Sequence, residues 1–213
     1  MDTPGRFSLF IPASSSRVTI RSRGYLPHWE AKGATYFVTY RLGDSLPAEV
    51  RRQIAQHRTA LEAAKQTGRK LLPIEAVVAH RLSNRKIEEY LDAGCGECIL
   101  KRPECAAIVA ESLDYFDGKR YENQAWCVMP NHVHALFRVL DGHNLAKIVY
   151  TWKRFTSCRI NSALGRHGSL WEREYFDHLI RNQAEFVRAV DYIRNNPVRA
   201  GLVGWRWVYV RRP

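Results

Sequence analysis

The chain has 213 residues, of which 46% are hydrophobic and 11% aromatic, a composition that suits a folded domain with appendages and argues against a disordered protein. Its 33 lysine and arginine residues outnumber 21 acidic residues and give a formal net charge of +12, which favours a polyanionic partner, either nucleic acid or an acidic membrane surface. No run of about 18 apolar residues is present to span a bilayer, and the first residues lack the pattern of a secretory signal, so we expect a cytoplasmic protein without a membrane partner.

The first half of the chain is predicted to contain one strand and several helices. Residues 1–24 are rich in serine, proline and arginine and are predicted to be a basic arm, which is either a solvated tail or a clamp for phosphate. Residues 34–42 carry many β-branched and aromatic side chains, which predicts a strand. A helix is expected over 47–66 and a second helical stretch over 73–92, within a helical insertion at about 66–100.

The second half begins with a helix and a hairpin. Apolar residues at helical spacing predict a helix over 102–118. Residues 121–129 and 132–139 are predicted to form two strands joined by a tight Pro-Asn turn. A further helix is expected over 144–163, with Asn144 as its cap. Its inward side chains are expected to be Leu145, Ile148, Val149, Trp152 and Phe155.

The remaining elements complete a recognisable order. A short strand near 170–180 precedes a last helix over 183–196, which Pro197 is expected to end, and residues 204–213 are predicted to be a short tail. The order contains the β-α-β-β-α-β pattern of a ferredoxin-like or RRM-like fold. We therefore predict an α+β protein whose antiparallel sheet has helices on one face and an extra C-terminal helix. The strand at 132–139 is expected to be central, because sequential and strongly apolar strands tend to be neighbours inside a sheet.

Five cysteines are an odd number, which favours reduced thiols over a disulfide framework. Cys95 and Cys98 have the spacing of a zinc-ligand pair, and Cys105 lies near them. A structural zinc site usually needs a second pair, and no second Cys-x-x-Cys occurs. We therefore interpret these three residues as thiols in a loop, with no assigned chemistry.

The stretch AWCVMPNHVHALFRV places two histidines two residues apart on a predicted strand. His132 and His134 therefore lie on the same face, which we expect to be the face that the main helices leave uncovered. There they could share a metal ion, although both could also be hydrogen-bonded strand residues. On the last helix Tyr192 and Asn196 lie four residues apart, which places a phenol and an amide together. The alternative makes them a boundary aromatic and a helix-end residue.

The sequence resembles the REP-associated tyrosine transposases, within the HUH single-stranded DNA endonucleases related to small insertion-sequence transposases. The resemblance extends over most of the chain, and we assign residues 25–203 to one HUH domain. It is carried by the following segments: YLPHWEAKGATYFVTYRLGDSLP (25–47), AWCVMPNHVHALF (125–137), WKRFT (152–156), LWEREYFDHLIR (170–181) and YIRNNPVRAGLV (192–203).

The resemblance implies roles for individual residues. His132 and His134 match the HUH histidines, Asn196 matches the polar residue that completes the metal site, and Tyr192 matches the nucleophile. Asp177 and His178 match a segment near the active site and are candidates for supporting the site or contacting DNA. The implied cofactor is a divalent metal, Mg²⁺, for which Mn²⁺ can substitute because it accepts imidazole more readily.

The implied partner is single-stranded DNA carrying a hairpin, as in repetitive extragenic palindromes. Basic residues that could contact this DNA are Arg21, Arg23, Lys147, Lys153, Arg154, Arg181, Arg194 and Arg199, each of which could equally be a solvated surface residue. Related insertion-sequence transposases are dimers that exchange the tyrosine helix. For this chain a monomer with its tyrosine acting in cis is preferred to a homodimer, and no protein partner is implied.

Three functions are compatible with these observations. The first is a metal-dependent endonuclease and strand transferase that cuts near hairpins through a 5′-phosphotyrosine intermediate. The second is a domesticated protein that binds the same hairpins without cutting them. The third is a metal-dependent hydrolase that uses water and does not need Tyr192. The intact set of His132, His134, Tyr192 and Asn196 favours the first.

Overall fold

A computed structural model describes residues 19–22, 27–66 and 86–212. Its centre is a five-stranded antiparallel sheet made of β3 (Thr35–Arg41), β4 (Tyr121–Val128), β5 (His132–Val139), β6 (Phe176–Leu179) and β7 (Val208–Val210). A separate hairpin pairs β1 (Thr19–Ser22) with β2 (Pro27–Glu30). The helices are α1 (Ala48–Gln66), α2 at 86–92, α3 (Pro103–Asp114), α4 (Leu145–Leu164) and α5 (Gln183–Arg199), with a 3₁₀ turn at Ile99–Lys101.

The strand order of the central sheet is β6-β3-β5-β4-β7, which places β5 in the middle. The predicted ferredoxin-like order and the central position of the histidine strand are therefore confirmed. β4 and β5 form the predicted hairpin, in which the backbone N–H of Met129 donates to the carbonyl of His132 at 2.8 Å. The Pro130 carbonyl accepts from Leu100 and the Asn131 carbonyl from Leu42, so the turn is held by backbone bonds on both sides.

The two faces of the sheet are covered by different helices. On one face Val133, Ala135 and Phe137 of β5 pack with α3 and α4 in the larger hydrophobic core. On the other face Leu136 of β5 packs against α5 in a smaller core that includes Ile193. The histidines alternate with Val133 and so face α5, on the side opposite the main helices, as predicted.

Two helix features differ from the sequence predictions. Phe155 is 46% exposed rather than inward, and the buried position on α4 is instead Thr156, which donates to the Trp152 carbonyl and accepts from the Trp171 indole at 2.8 Å. Pro197 does not end α5, because a proline within the last turn removes only one helical hydrogen bond. The helix ends where Gly201, at φ +69°, donates to the Val198 carbonyl.

The predicted terminal segments also contain strands. Residues 204–213 were expected to be a tail, but β7 pairs with β4 along the edge of the sheet. Arg211 holds this end in place, because its guanidinium donates to both carboxylate oxygens of Asp117 at 3.0 and 2.8 Å. Part of the predicted basic arm is strand β1, and the rest of residues 1–24 lies outside the described residues. The part of the predicted helical insertion at 67–85 also lies outside them, whereas 86–92 is helical. In the described part of the chain, no helix is long and apolar enough to cross a membrane.

Candidate active site

The two histidines of β5 meet at a very short distance. His132 and His134 are both fully buried, and their Nε2 atoms lie 2.9 Å apart. Two nitrogen lone pairs cannot face each other at that distance unless a proton or a cation lies between them. The two Nε2 atoms are therefore joined either by a hydrogen bond or by a shared cation.

Burial keeps both imidazoles neutral at physiological pH. It lowers the pKa of His132 to about 3 and that of His134 well below its usual range. For His134 the neighbouring His132 and the guanidinium of Arg199 lower the pKa further. Neutral imidazole is the form that ligates metals, so neither ring has to lose a positive charge before a cation can bind.

Helix α5 brings an amide and a phenol to the same place. Asn196 is fully buried, and its Nδ2 lies 3.5 Å from His134 Nε2. Its Oδ1 is buried and has no hydrogen-bond partner among the described residues. The Tyr192 ring lies with its centroid 5.1 Å from that of His134, in an edge-on contact. The prediction that these two helix residues share a flank is confirmed, and that flank faces the imidazoles.

The surroundings of Tyr192 keep its phenol protonated. Burial raises its pKa, and the carboxylates of Glu88 and Asp92 on α2 raise it further. Arg199 acts in the opposite direction, with its guanidinium carbon 5.4 Å from the ring centroid and its Nη2 3.9 Å from the Asp92 carboxylate. A free phenol in this position is a weak nucleophile, so its activation requires a further positive charge or a base.

Three predicted DNA-contacting residues lie around α5. Arg199 reaches the Tyr192 ring, as described above. Arg194 is exposed and forms a 3.3 Å ion pair with Asp191 one turn earlier. Arg181 is exposed just before the helix, where its backbone N–H donates to Glu185 at 3.0 Å. These three arginines lie on the side of the sheet that carries the histidines.

The three predicted DNA-contacting residues of α4 lie on the opposite side, because α4 packs against the other face of the sheet. Lys147 and Arg154 are exposed there, and Arg154 donates to the Tyr150 hydroxyl. Lys153 is turned inward, and its Nζ donates to the carbonyls of Glu172 and Arg173 at 2.6 and 2.8 Å. These three predicted DNA-contacting side chains therefore lie on the face of the sheet opposite Tyr192.

The remaining predicted site residues are divided between the two faces. His178 pairs with Phe37 across β6 and β3, which places it on the histidine side, and its Nε2 lies 3.3 Å from Glu185. Asp177 pairs with Val38, a residue of the larger core, which places it on the other side. Arg21 lies on β1 opposite His28, with only its backbone described, and Arg23 falls outside the described residues.

The region that contains this site is similar to a known protein family. The family model described as "Transposase IS200 like" matches residues 102–196, which include both histidines, Tyr192 and Asn196. Residues 102–196 of this chain are therefore similar to the IS200-like transposases. The matched region runs from the start of α3 to the penultimate turn of α5, so the family match takes in β4, β5, α4 and β6 but not β3.

Two curated relatives are similar to part of this chain. An inferred REP-associated tyrosine transposase of Haemophilus influenzae is 32% identical over 93 residues, which cover 39% of this chain and 53% of the relative. The REP-associated tyrosine transposase of Escherichia coli K12 is 30% identical over 83 residues, which cover 39% of this chain and 48% of the relative. The chain thus spans about half the length of these curated relatives. A solved REP-associated tyrosine transposase bound to a REP hairpin aligns with a TM-score of 0.45 and 19% identity, over 88% of this chain and 80% of that one.

Three residues of this candidate site escape sequence reasoning. Thr39 of β3 lies directly across from His134, and its Oγ1 is 2.7 Å from His134 Nδ1. Asn131 places Oδ1 2.7 Å from His132 Nδ1, although the sequence indicates only a turn residue there. Asp92 reaches the site from α2. The Asn131 contact could have been suspected from its position beside His132, whereas the other two require the tertiary fold.

Cys98 and Cys105 do not take part in this site. Cys98 is buried at φ +53° and its thiol donates to the Gly94 carbonyl, while burial raises its pKa. Cys105 lies in the first turn of α3 rather than in a loop, which corrects the sequence interpretation. Within residues 19–22, 27–66 and 86–212, no group of three His, Cys, Asp or Glu side chains is placed to hold a metal ion.

Proposed function

We propose that this IS200-like transposase region is a metal-dependent single-stranded DNA endonuclease and strand transferase that cuts near hairpin sequences. The observation that supports this proposal best is the 2.9 Å approach of two buried, neutral imidazoles beside Tyr192 and Asn196. Two imidazoles buried side by side, next to the unpaired Oδ1 of Asn196, are costly for packing alone and are donor types that a metal ion can use.

The donor set fits a divalent cation. His132 and His134 would supply two imidazole nitrogens, and the buried Asn196 Oδ1, which has no partner among the described residues, would supply an oxygen. Mixed nitrogen and oxygen donors suit Mn²⁺, and Mg²⁺ is the expected cellular ion. When bound, the cation would neutralise charge on a scissile phosphate and leave coordination positions for its oxygen and for water.

Tyr192 would act as the nucleophile. Its Oη would attack the phosphorus, so that a tyrosine–phosphate bond forms at the 5′ end of one fragment while the bond to the 3′ oxygen breaks. The phenol loses its proton and the departing 3′ oxygen gains one. Because one phosphoester replaces another, a 3′ hydroxyl of a second strand can reverse the step and release Tyr192. Arg199, beside the phenol ring, is placed to favour the charged form.

The proposed substrate is single-stranded DNA beside a hairpin. The REP-associated names of the two curated relatives support it, as does the formal net charge of +12. The exposed arginines on the side of α5, Arg181 and Arg194, are candidates for phosphate contacts near the nucleophile. Lys147 and Arg154 could contact a duplex stem only from the opposite face of the sheet.

The test is a cleavage reaction with end-labelled hairpin DNA, Mn²⁺ or Mg²⁺, and a denaturing gel. A strand labelled at its 3′ end is expected to remain attached to the protein, whereas a strand labelled at its 5′ end is expected to give a shorter free product. Both products should require the metal and disappear in Tyr192→Phe and in the double variant His132→Ala/His134→Ala. Tyr209→Phe is the matched control, because Tyr209 stacks on Trp126 at the far edge of the sheet and should cut normally.

Two other outcomes would replace this proposal. Tight hairpin binding without any covalent product would indicate the domesticated binding protein. Cleavage that persists in Tyr192→Phe would indicate hydrolysis by water.

A further inference from the structure

Asn131 is a buried turn residue that links the first histidine to a distant segment. Its Oδ1 lies 2.7 Å from His132 Nδ1, and its Nδ2 donates to the Cys95 carbonyl at 2.9 Å. The backbone carbonyl of Asn131 also accepts from Leu42 at 2.8 Å. Both ends of this side chain and its backbone are therefore fixed, and the residue is fully buried.

The Cys95 contact determines which way the Asn131 amide points. A backbone carbonyl can only accept, so the NH₂ group must face Cys95 and the oxygen must face His132. That oxygen can also only accept, so His132 Nδ1 must carry the proton. A neutral imidazole has a single N–H, which leaves His132 Nε2 as a bare acceptor that faces His134.

The contact between Thr39 and the second histidine is compatible with either tautomer of that ring. Its Oγ1 lies 2.7 Å from His134 Nδ1, and a hydroxyl can either donate or accept. Without a cation, the 2.9 Å contact between the Nε2 atoms requires a proton on His134 Nε2, and Thr39 then donates to Nδ1. If both Nε2 atoms ligate a cation, the His134 proton must sit on Nδ1, and Thr39 then accepts it.

We propose that Asn131 and Thr39 are positioning residues for the two imidazoles. Asn131 fixes the His132 proton on Nδ1, while Thr39 accommodates the His134 proton on either ring nitrogen, so that both Nε2 atoms become available to one cation. This inference rests on the proposed metal site and adds two residues to it. Partners of this kind orient metal-binding histidines and set the tautomer.

The proposal also gives the Gly/Cys turn at 93–98 a role that does not involve its thiols. The turn is held by Asp44, whose carboxylate accepts from the Glu97 N–H at 2.9 Å, and by the close approach of Gly96 to the Asp44 backbone. A Cβ built on Gly96 would lie 2.7 Å from the Asp44 carbonyl oxygen. The turn thereby presents the Cys95 carbonyl, rather than its sulfur, to Asn131.

The first test measures tautomers in metal-free protein by ¹⁵N NMR of labelled histidine. Wild-type His132 is expected as the Nδ1–H tautomer. Asn131→Leu should lose that preference, whereas Asn131→Asp should keep it, because the carboxylate still accepts from Nδ1. A wild-type His132 that carries its proton on Nε2 would overturn the assignment to Asn131.

The second test measures Mn²⁺ affinity by titration followed with electron paramagnetic resonance. Asn131→Leu and the isosteric Thr39→Val are expected to weaken binding by about 10–100-fold, and Thr39→Ser should bind like wild type. Cys95→Ala should also bind normally, because the contact is made by its backbone. Buried control residues away from the site are Asn123 and Thr156, so Asn123→Leu and Thr156→Val should keep wild-type affinity even where they lower stability.

The two proposals fail in different ways. Wild-type protein that binds no Mn²⁺ would overturn the metal-dependent function. Equal Mn²⁺ affinity in wild type, Asn131→Leu and Thr39→Val would overturn only the positioning roles. If Asn131→Leu does not fold, the wild-type tautomer and the Thr39 pair of variants still decide the matter.

Discussion

Asn196 carries an energetic cost that the fold alone does not explain. It is fully buried on α5, and its Oδ1 makes no hydrogen bond within the described residues. An unsatisfied buried polar atom costs about 1–3 kcal/mol. Such a cost is expected where a side chain binds a ligand rather than stabilises the fold. At such a residue, a substitution that increases stability decreases function.

Asn196→Leu is therefore expected to separate stability from metal binding. In EDTA the free energy of unfolding should rise by about 1 kcal/mol, because a similar volume is filled without an unpaired oxygen. Mn²⁺ should stabilise the wild type but have little effect on the variant, because one ligand is missing. The measurement is urea unfolding with and without Mn²⁺.

Asn123→Leu is the control for that comparison. Its Nδ2 donates to the Leu113 carbonyl at 2.8 Å, so its loss should lower stability while leaving the Mn²⁺ effect intact. If Asn196→Leu were still stabilised by Mn²⁺ to the wild-type extent, Asn196 would not be a ligand.

At the scale of elements, sequence patterns predict the helix starts, turns and strand faces that depend on neighbouring residues. The start of α4 follows from the Asn144 cap, whose side chain accepts from the Lys147 N–H at 3.2 Å, and the β4–β5 hairpin follows from Pro130 and Asn131. The face of the sheet that carries the histidines follows from strict alternation along β5. Each of these features is encoded within a few residues.

Other features could not be predicted because they depend on distant partners. β7 has three residues and forms only because β4 offers an open edge to pair with. Thr39 contacts a histidine 95 residues away, and nothing near Thr39 marks it. Lys153 resembles a DNA-binding lysine on an exposed helix, but in the fold its Nζ donates to the carbonyls of Glu172 and Arg173 in the loop before β6. Sequence reasoning therefore names His132, His134 and Asn196 as candidates for the metal site but does not identify Thr39.

The burial of Lys153 has a measurable consequence for the packing of α4. Its pKa is lowered from 10.5 to about 8, chiefly by burial with a smaller effect of Arg41, while Glu172 and Glu174 oppose the shift. Between these two values the unfolded chain binds more protons than the folded one, so this residue makes stability rise with pH in that window. Its full contribution is at most about 3 kcal/mol.

Lys153→Met should remove that rise. The measurement is the free energy of unfolding of both proteins, obtained from urea titrations at pH 7.5, 9 and 10. As pH increases, the value for the wild type should rise relative to the value for the variant. Arg154→Met alters the exposed neighbour and should follow the wild-type pH dependence. A parallel pH profile for Lys153→Met would show that the ammonium is not buried in solution.

At the scale of the whole molecule, the proposed nucleophile Tyr192 and the two histidines come from one chain. α5 packs on the face of the sheet that carries His134, with Ile193 in the smaller core and Tyr192 against both His134 and Phe37. The site is therefore complete without a second copy, which supports the proposed monomer with a tyrosine acting in cis. A dimer that exchanged α5 would need to open this core and form it again between chains.

Mixing two inactive variants distinguishes the two arrangements. Tyr192→Phe keeps the imidazoles, and a size-tagged His132→Ala/His134→Ala variant keeps the tyrosine. If each site uses its own tyrosine, the mixture should form no covalent DNA product at any ratio, and light scattering should report the mass of one chain. If α5 is exchanged, the product should return and should appear on the tagged chain, because only that chain carries Tyr192. The control is a mixture of tagged and untagged wild type. The covalent DNA product should appear on both chains, which would show that the tag does not itself block the reaction.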